Sequence, residues 1–169
     1  NRRNFVKHLK PKSLAVFNSN DIYPTSADGT LPFKQATDIF HLSGVDQEES
    51  ILVIFPDAHK EEHKEMLFLK ETNDHIAVWE GAKLNKDQAL GVSGIKNVFW
   101  LTEFERVFTE VMSHAENVYL NSNEHLRANV ETETREARFV KWCKESFPIH
   151  TYQRAAPIMH QIRAIKSDL

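Results

Sequence analysis

The sequence predicts an α/β domain, one mixed β-sheet with helices on both faces, as a single unit over residues 1–169. Three observations predict it. Short apolar, partly β-branched runs recur at strand length, as in ILVIF (51–55) and EMLFL (65–69). Other stretches repeat apolar residues at helical spacing, most clearly Phe104, Val107, Phe108, Val111, Met112 and Ala115. Through the second half the two kinds alternate, as they do where helices cover a sheet. The chain's 169 residues, 41% hydrophobic and 27% charged, can build one core without disulfides or a structural metal.

Residues 1–10 predict a short helix with Phe5, Val6 and Leu9 on one side, ended by Pro11. SLAVF (13–17) reads as a buried strand. Residues 18–37 are rich in Asn, Ser, Thr, Asp and Pro without a period, which marks a long loop of the kind compact domains keep for function. Residues 39–42 read as a weak strand. The 51–55 and 65–69 runs, separated by a polar stretch, predict two paired strands, and residues 76–79 a further strand. Residues 86–90 form a helix before the Gly91 and Gly94 turn, and 98–101 another strand. Over 102–115, Thr102 and Glu105 form a T-x-x-E capping box ahead of the amphipathic helix. Strand 118–120 and helices 131–146 and 156–165 complete the chain.

Charge and composition exclude whole classes of function. The net charge of −3 lacks the basic excess of a duplex-binding domain, so no nucleic-acid partner is expected. The longest apolar run stops after five residues at Pro56, far short of the ~20 that span a bilayer. No membrane partner is expected either. The basic N-terminus leads into no apolar signal segment, and the first residue is not Met, so a trimmed chain is expected. Cys143 is the single cysteine, which excludes a disulfide framework and fits a reducing, cytoplasmic setting.

Local chemistry is sparse. His59, Glu62 and His63 match H-x-x-E-H, a zinc-peptidase signature that needs a buried helix; between two strands after Pro56 the segment reads instead as a solvated turn. Cys143 lies on the apolar side of its helix, where a cysteine acts as a small hydrophobe. Gly91 and Gly94 fit no phosphate-binding loop, and the basic residues near the start form a solvated helix face. No catalytic or metal-ligating set can be assembled.

One stretch is more specific. Residues 25–44, TSADGTLPFKQATDIFHLSG, resemble the N-terminal domain of aminopeptidase P, the Xaa-Pro aminopeptidases of the creatinase and prolidase superfamily. Ser26, Asp28, Pro32, Phe33, Lys34, Gln35, Phe40, Leu42, Ser43 and Gly44 fall in register, with Lys34 where Arg is usual, Ile39 between Asp38 and Phe40, and His41 for Tyr. The strand run after Gly44, Trp79-Glu80-Gly81, and the closing 162–167 string IRAIKS agree in order and distance.

The resemblance implies a six-stranded sheet and a chain that is the non-catalytic N-terminal domain of a longer, manganese-dependent Xaa-Pro aminopeptidase. The ligands of its two Mn²⁺ ions would lie in a catalytic "pita-bread" domain outside this chain. The N-terminal domain shapes the substrate cleft and subunit contacts, so a homo-oligomer is implied, with a peptide carrying proline at its second position as substrate. Asp28 and Trp79 are the implied substrate-binding residues: a loop carboxylate can meet a cation, and an indole can wall a pocket for a prolyl ring. The alternative is a peptide- or protein-binding module of a catalytically dead relative, since fold carries over more readily than activity.

Overall fold

Alternation along the strands fixes the architecture. The computed structural model describes residues 1–73, 75, 77–78, 81–128 and 131–165. In β1 (Ser13–Asn18), Leu14 and Val16 point into one apolar cluster while Ala15 and Phe17 point into another, and all four are fully buried. Strands β2 (Ile51–Ile54) and β3 (Glu65–Leu69) divide in the same way, Val53 and Phe68 to the first cluster, Leu52 and Leu67 to the second. A sheet apolar on both faces must be covered on both.

On the first face lie α4 (Phe104–Met112) and α5 (Arg135–Ser146), contributing Phe104, Val107, Phe108, Val111, Met112, Phe139 and Cys143. On the second lie α1 (Arg2–Val6), α2 (Thr37–Ser43), α3 (Lys86–Ser93) and α6 (Ala156–Ala164), through Phe5, Ile39, Leu42, Ala89, Met159 and Ile162. Three more strands, β4 (Asn97–Trp100), β5 (Asn117–Leu120) and β6 (Thr151–Arg154), complete a six-stranded sheet ordered β4-β3-β2-β1-β5-β6. The register pairs Ala15 with Ile54 on one side and Tyr119 on the other. Only β2 runs antiparallel to its neighbours, so the other strands all end on one edge, at Asn18, Leu69, Trp100, Leu120 and Arg154.

The expected α/β fold with a mixed sheet is what forms, with local corrections. Residues 39–42 are helical, inside α2, because the buried positions Ile39 and Leu42 are three apart and share one helix side. The helix ends on Ser43-Gly44: Gly44 takes φ 71°, and the Ser43 hydroxyl donates to Ile39 O at 2.7 Å while accepting from Val45 N–H. Ser93-Gly94 repeats the device at the end of α3, with Gly94 at φ 68°. Thr102 is not the cap of α4. A 3₁₀ turn, Leu101–Glu103, precedes that helix, and the Glu103 carboxylate accepts from the Trp100 N–H at 3.1 Å. Helix α5 starts at Arg135 rather than 131, capped by the Thr134 hydroxyl, which accepts from Ala137 N–H.

Of the strand expected at 76–79, Ile76 and Trp79 lie outside the described residues; Ala77 and Val78 are helical, and β4 takes the sheet edge instead. Strand β6 was not foreseen. It is an edge strand of sequence TYQR, half-buried or exposed throughout, and so carries no apolar alternation.

Candidate functional site

The segments that carry Asp28 and Trp79 follow β1 and β3, and therefore leave the sheet at the edge where its parallel strands end. That edge is where open α/β sheets place their ligand crevices. After Asn18 the chain rises into a short hairpin: Leu31 N–H donates to Tyr23 O at 2.9 Å, Pro24 bridges Thr30, and Thr25 N–H donates to Gly29 O at 2.8 Å. The tip is the turn 26–29, closed by Gly29 N–H on Ser26 O, with Ala27 at φ 54°. An alanine in the left-handed region is uncommon, and such strain collects at functional loops. A Cβ on Gly29 would stand 2.7 Å from the Thr25 hydroxyl and 3.2 Å from Ser26 O, so a side chain there would have to displace Thr25.

Asp28 sits exposed on this tip. Its carboxylate makes no hydrogen bond or ion pair with another described residue, so it is not consumed in an Asx turn. Around it the hairpin exposes Ile22, Tyr23 and Leu31. Trp79 lies outside the described residues.

The base of the hairpin is tied to the N-terminus of α5. The Glu136 carboxylate accepts from the Asn18 backbone N–H (3.1 Å) and side-chain amide (2.9 Å). Asp21 accepts from the Arg135 N–H (2.9 Å) and from the Arg138 guanidinium (2.6 Å). Burial pushes the Glu136 carboxyl up to about 7, against the Asn18 hydrogen bonds that favour its charged form. Beside this base opens a groove of about 560 Å³ lined by Asn18, Leu101, Phe104, Arg135, Phe139 and Trp142.

The returning legs of the two segments meet at Gln47, which is 4% exposed. Gln35, just past the hairpin, donates through Nε2 to Gln47 O at 2.8 Å and Val45 O at 3.2 Å, and its Oε1 accepts from Ala36 N–H. The Gln47 side chain in turn accepts from Leu84 N–H at 2.7 Å, next to the Lys83–Glu48 ion pair. Nothing in the sequence marks Glu136 or Gln47, whose partners are distant in the chain.

The histidine motif is not a helix but a 3₁₀ turn, Glu61–His63, and it is not the solvated turn expected of it. His63 is 6% exposed and lines a cavity of about 50 Å³ with His59, Lys60, Glu110 and His114. The His59 and His114 rings meet edge to face at 5.0 Å, and Glu110 is held by Lys60 at 2.5 Å. Among the described residues no group of three or more His, Cys, Asp or Glu side chains is arranged to hold a metal ion. Burial pushes the Cys143 thiol up to about 11, where it is no thiolate at neutral pH. No described helix is long and apolar enough to cross a membrane.

The sequence profile of the family described as "Aminopeptidase P, N-terminal domain" matches residues 1–119. The chain belongs to this family. Among curated relatives, the Xaa-Pro aminopeptidase of Escherichia coli K12 is 22% identical over 167 residues, 98% of this chain but 38% of the relative. Mouse Xaa-Pro aminopeptidase 3 is 26% identical over 114 residues, 66% of this chain and 22% of the relative. This aminopeptidase P domain thus spans about two-fifths of the E. coli protein's length.

Solved structures agree on the fold. One from Bacillus anthracis, described as an aminopeptidase P, superposes with a TM-score of 0.86 at 22% identity, over 99% of this chain and 39% of that one. The low-pH form of E. coli aminopeptidase P gives 0.78 at 21% identity, over 98% and 38%.

Proposed function

We propose that this domain is the non-catalytic N-terminal part of an Xaa-Pro aminopeptidase, and that it shapes the cleft for a peptide with proline second by presenting the Asp28 hairpin and the Trp79 segment from one sheet edge. The observation that carries the reading is the Asp28 carboxylate, exposed on a braced hairpin with no partner among the described residues of its own chain. A free carboxylate on an ordered tip is placed to meet a cation outside the domain, such as the substrate ammonium or an arginine of a second copy in a homo-oligomer. Trp79 is assigned the wall for the prolyl ring. The metal chemistry, two Mn²⁺ with their activated water, belongs to the catalytic domain that the rest of the protein supplies. A reducing, cytoplasmic setting is part of the same reading, supported by the lone free thiol.

Asp28→Asn in the full-length protein tests the proposal, because it removes charge while keeping size and turn propensity. A hydrogen bond to a charged partner contributes about 1.5–3 kcal/mol, so kcat/KM should fall roughly 10- to 150-fold with the melting temperature unchanged. Activity within about twofold of wild type, with stability lowered by more than ~1 kcal/mol, would make Asp28 a turn residue only.

A further inference from the structure

We propose that the groove between α4 and α5 is a binding site for a zwitterion with a large apolar side chain, an amino acid or short peptide, whose carboxylate meets Arg135 and whose ammonium meets Glu105. The proposal does not rest on the roles assigned to Asp28 and Trp79. It starts from topology. Strands β1 and β5 are parallel neighbours, yet the helix that follows β1, α2, lies on the second face, and the helix that follows β5, α5, lies on the first. Such a divergence opens a crevice beyond the strand ends, where open α/β sheets bind their ligands. The groove of about 560 Å³ lies on the first-face side of that edge: Asn18 ends β1, Ile51 begins the antiparallel β2, and Leu101 follows β4.

Its apolar wall is aromatic. The rings of Phe104, Phe139 and Trp142 pack on one another, with centroids 6.0 Å apart for Phe104 and Phe139, 6.2 Å for Phe104 and Trp142, and 5.4 Å for Phe139 and Trp142. Three charged side chains also line the groove, and they differ in what they already hold. Arg138 is committed to Asp21 and to Glu133 O. The half-buried Arg135 guanidinium makes no hydrogen bond or ion pair with a described residue, and burial lowers its pKa against the opposing charges of Glu49 and Asp21. Glu49 is itself held by Lys70 and Asp21 by Arg138, so neither serves as its counter-ion. The exposed Glu105 carboxylate is equally without a partner among the described residues, Arg135 included.

A cation partly stripped of water and left unpaired gains from an anion that can take the forked N–H donors of its guanidinium. An anion alone would leave Glu105 unanswered in the same groove. A ligand that carries both charges on an apolar body meets both and covers the rings, and apolar lining with a few fixed polar groups is the pattern of small-molecule pockets, which run to ~300–1,000 Å³.

The test is calorimetric titration of the full-length protein with L-phenylalanine and glycyl-L-phenylalanine, each then capped at its carboxylate as the amide or at its amine by acetylation. At least one of the two zwitterions should bind, and either cap should weaken it about tenfold or more. Arg135→Met and Glu105→Gln should each weaken the uncapped ligand by a similar factor. The two series should cancel pairwise: Arg135→Met should cost the amide nothing further, and Glu105→Gln should cost the acetylated ligand nothing further. This pairing separates the groove from a catalytic cleft elsewhere in the protein, which neither substitution alters. If a variant does not fold, the indole N–H resonance of Trp142 in the unaltered protein decides: the zwitterion should shift it and leave that of Trp100, which packs in the second-face cluster, in place. Failure of both zwitterions to bind, binding that both variants retain in full, or an unmoved Trp142 resonance would overturn the proposal. An inert Asp28→Asn would leave it standing.

Discussion

Glu136 shows how a single side chain can serve the site and weaken the fold together. It holds Asn18 with both carboxylate oxygens, and burial raises its pKa to about 7, with Asp38 adding to the rise and Arg135 opposing it. In the unfolded chain a Glu titrates near 4.3, so between that value and about 7 the folded state keeps a proton that the unfolded state has released. Stability attributable to Glu136 must therefore fall as pH rises through this window and level off above it, by at most ~4 kcal/mol at 1.36 kcal/mol per pKa unit. Glu136→Gln, which mimics the neutral form, should flatten the difference between melts at about pH 5 and pH 8 and be the more stable protein at the higher pH. An unchanged pH slope in the variant would show that the carboxylate is solvated. At the hairpin tip, Ala27→Gly should stabilise by up to ~1 kcal/mol, because glycine adopts the positive φ without the Cβ clash. A destabilised variant in chemical denaturation would mean that the unfolded chain's extra freedom outweighs the strain.

Helix α4 is the element on which the first-face core depends. The Phe108 ring is fully buried and packs against Phe104 at 4.9 Å and against Phe139, Trp142 and Phe147, each at 5.8 Å. Phe108→Ala should cost ~3–5 kcal/mol, enough to unfold a marginal domain. A cooperatively folding variant that loses less than ~1 kcal/mol would place that helix face toward solvent. This helix was legible in the sequence because its five buried side chains all fall on one side of a 3.6-residue period, and β1 to β3 because strands buried on both faces read as unbroken apolar runs. Helix α2 was misread because the exposed Phe40 makes residues 39–42 look like a short apolar run and hides the three-residue spacing of the buried Ile39 and Leu42. Strand β6 was invisible because an edge strand needs little apolar surface. Asp28 was legible as a loop carboxylate with a family motif around it, whereas Gln47 was not, since its partners lie 12 and 37 residues away and are chosen by packing alone.

The sheet is covered on both faces by apolar cores, and the hairpin that carries Asp28 leaves it at the edge where its parallel strands end. An edge of this kind can position a substrate; cleaving a peptide bond requires in addition an activated water or nucleophile with an acid to protonate the leaving amine. Among the described residues the donors that could hold a metal do not converge, Glu110 is occupied by Lys60, and the lone thiol is held protonated by burial. On the proposed assignment, the chain by itself should turn over no chromogenic Xaa-Pro substrate with Mn²⁺ added, while the full-length protein should. A ligand bound to the folded state alone raises its stability by RT ln(1 + [L]/Kd), about 2.7 kcal/mol at a hundredfold excess over Kd, so Mn²⁺ should leave the chain's melting temperature in place. A manganese-dependent rise in melting temperature accompanied by turnover that survives repurification would show that this domain carries catalytic metal ligands, and the division of labour between this domain and a catalytic one would fail.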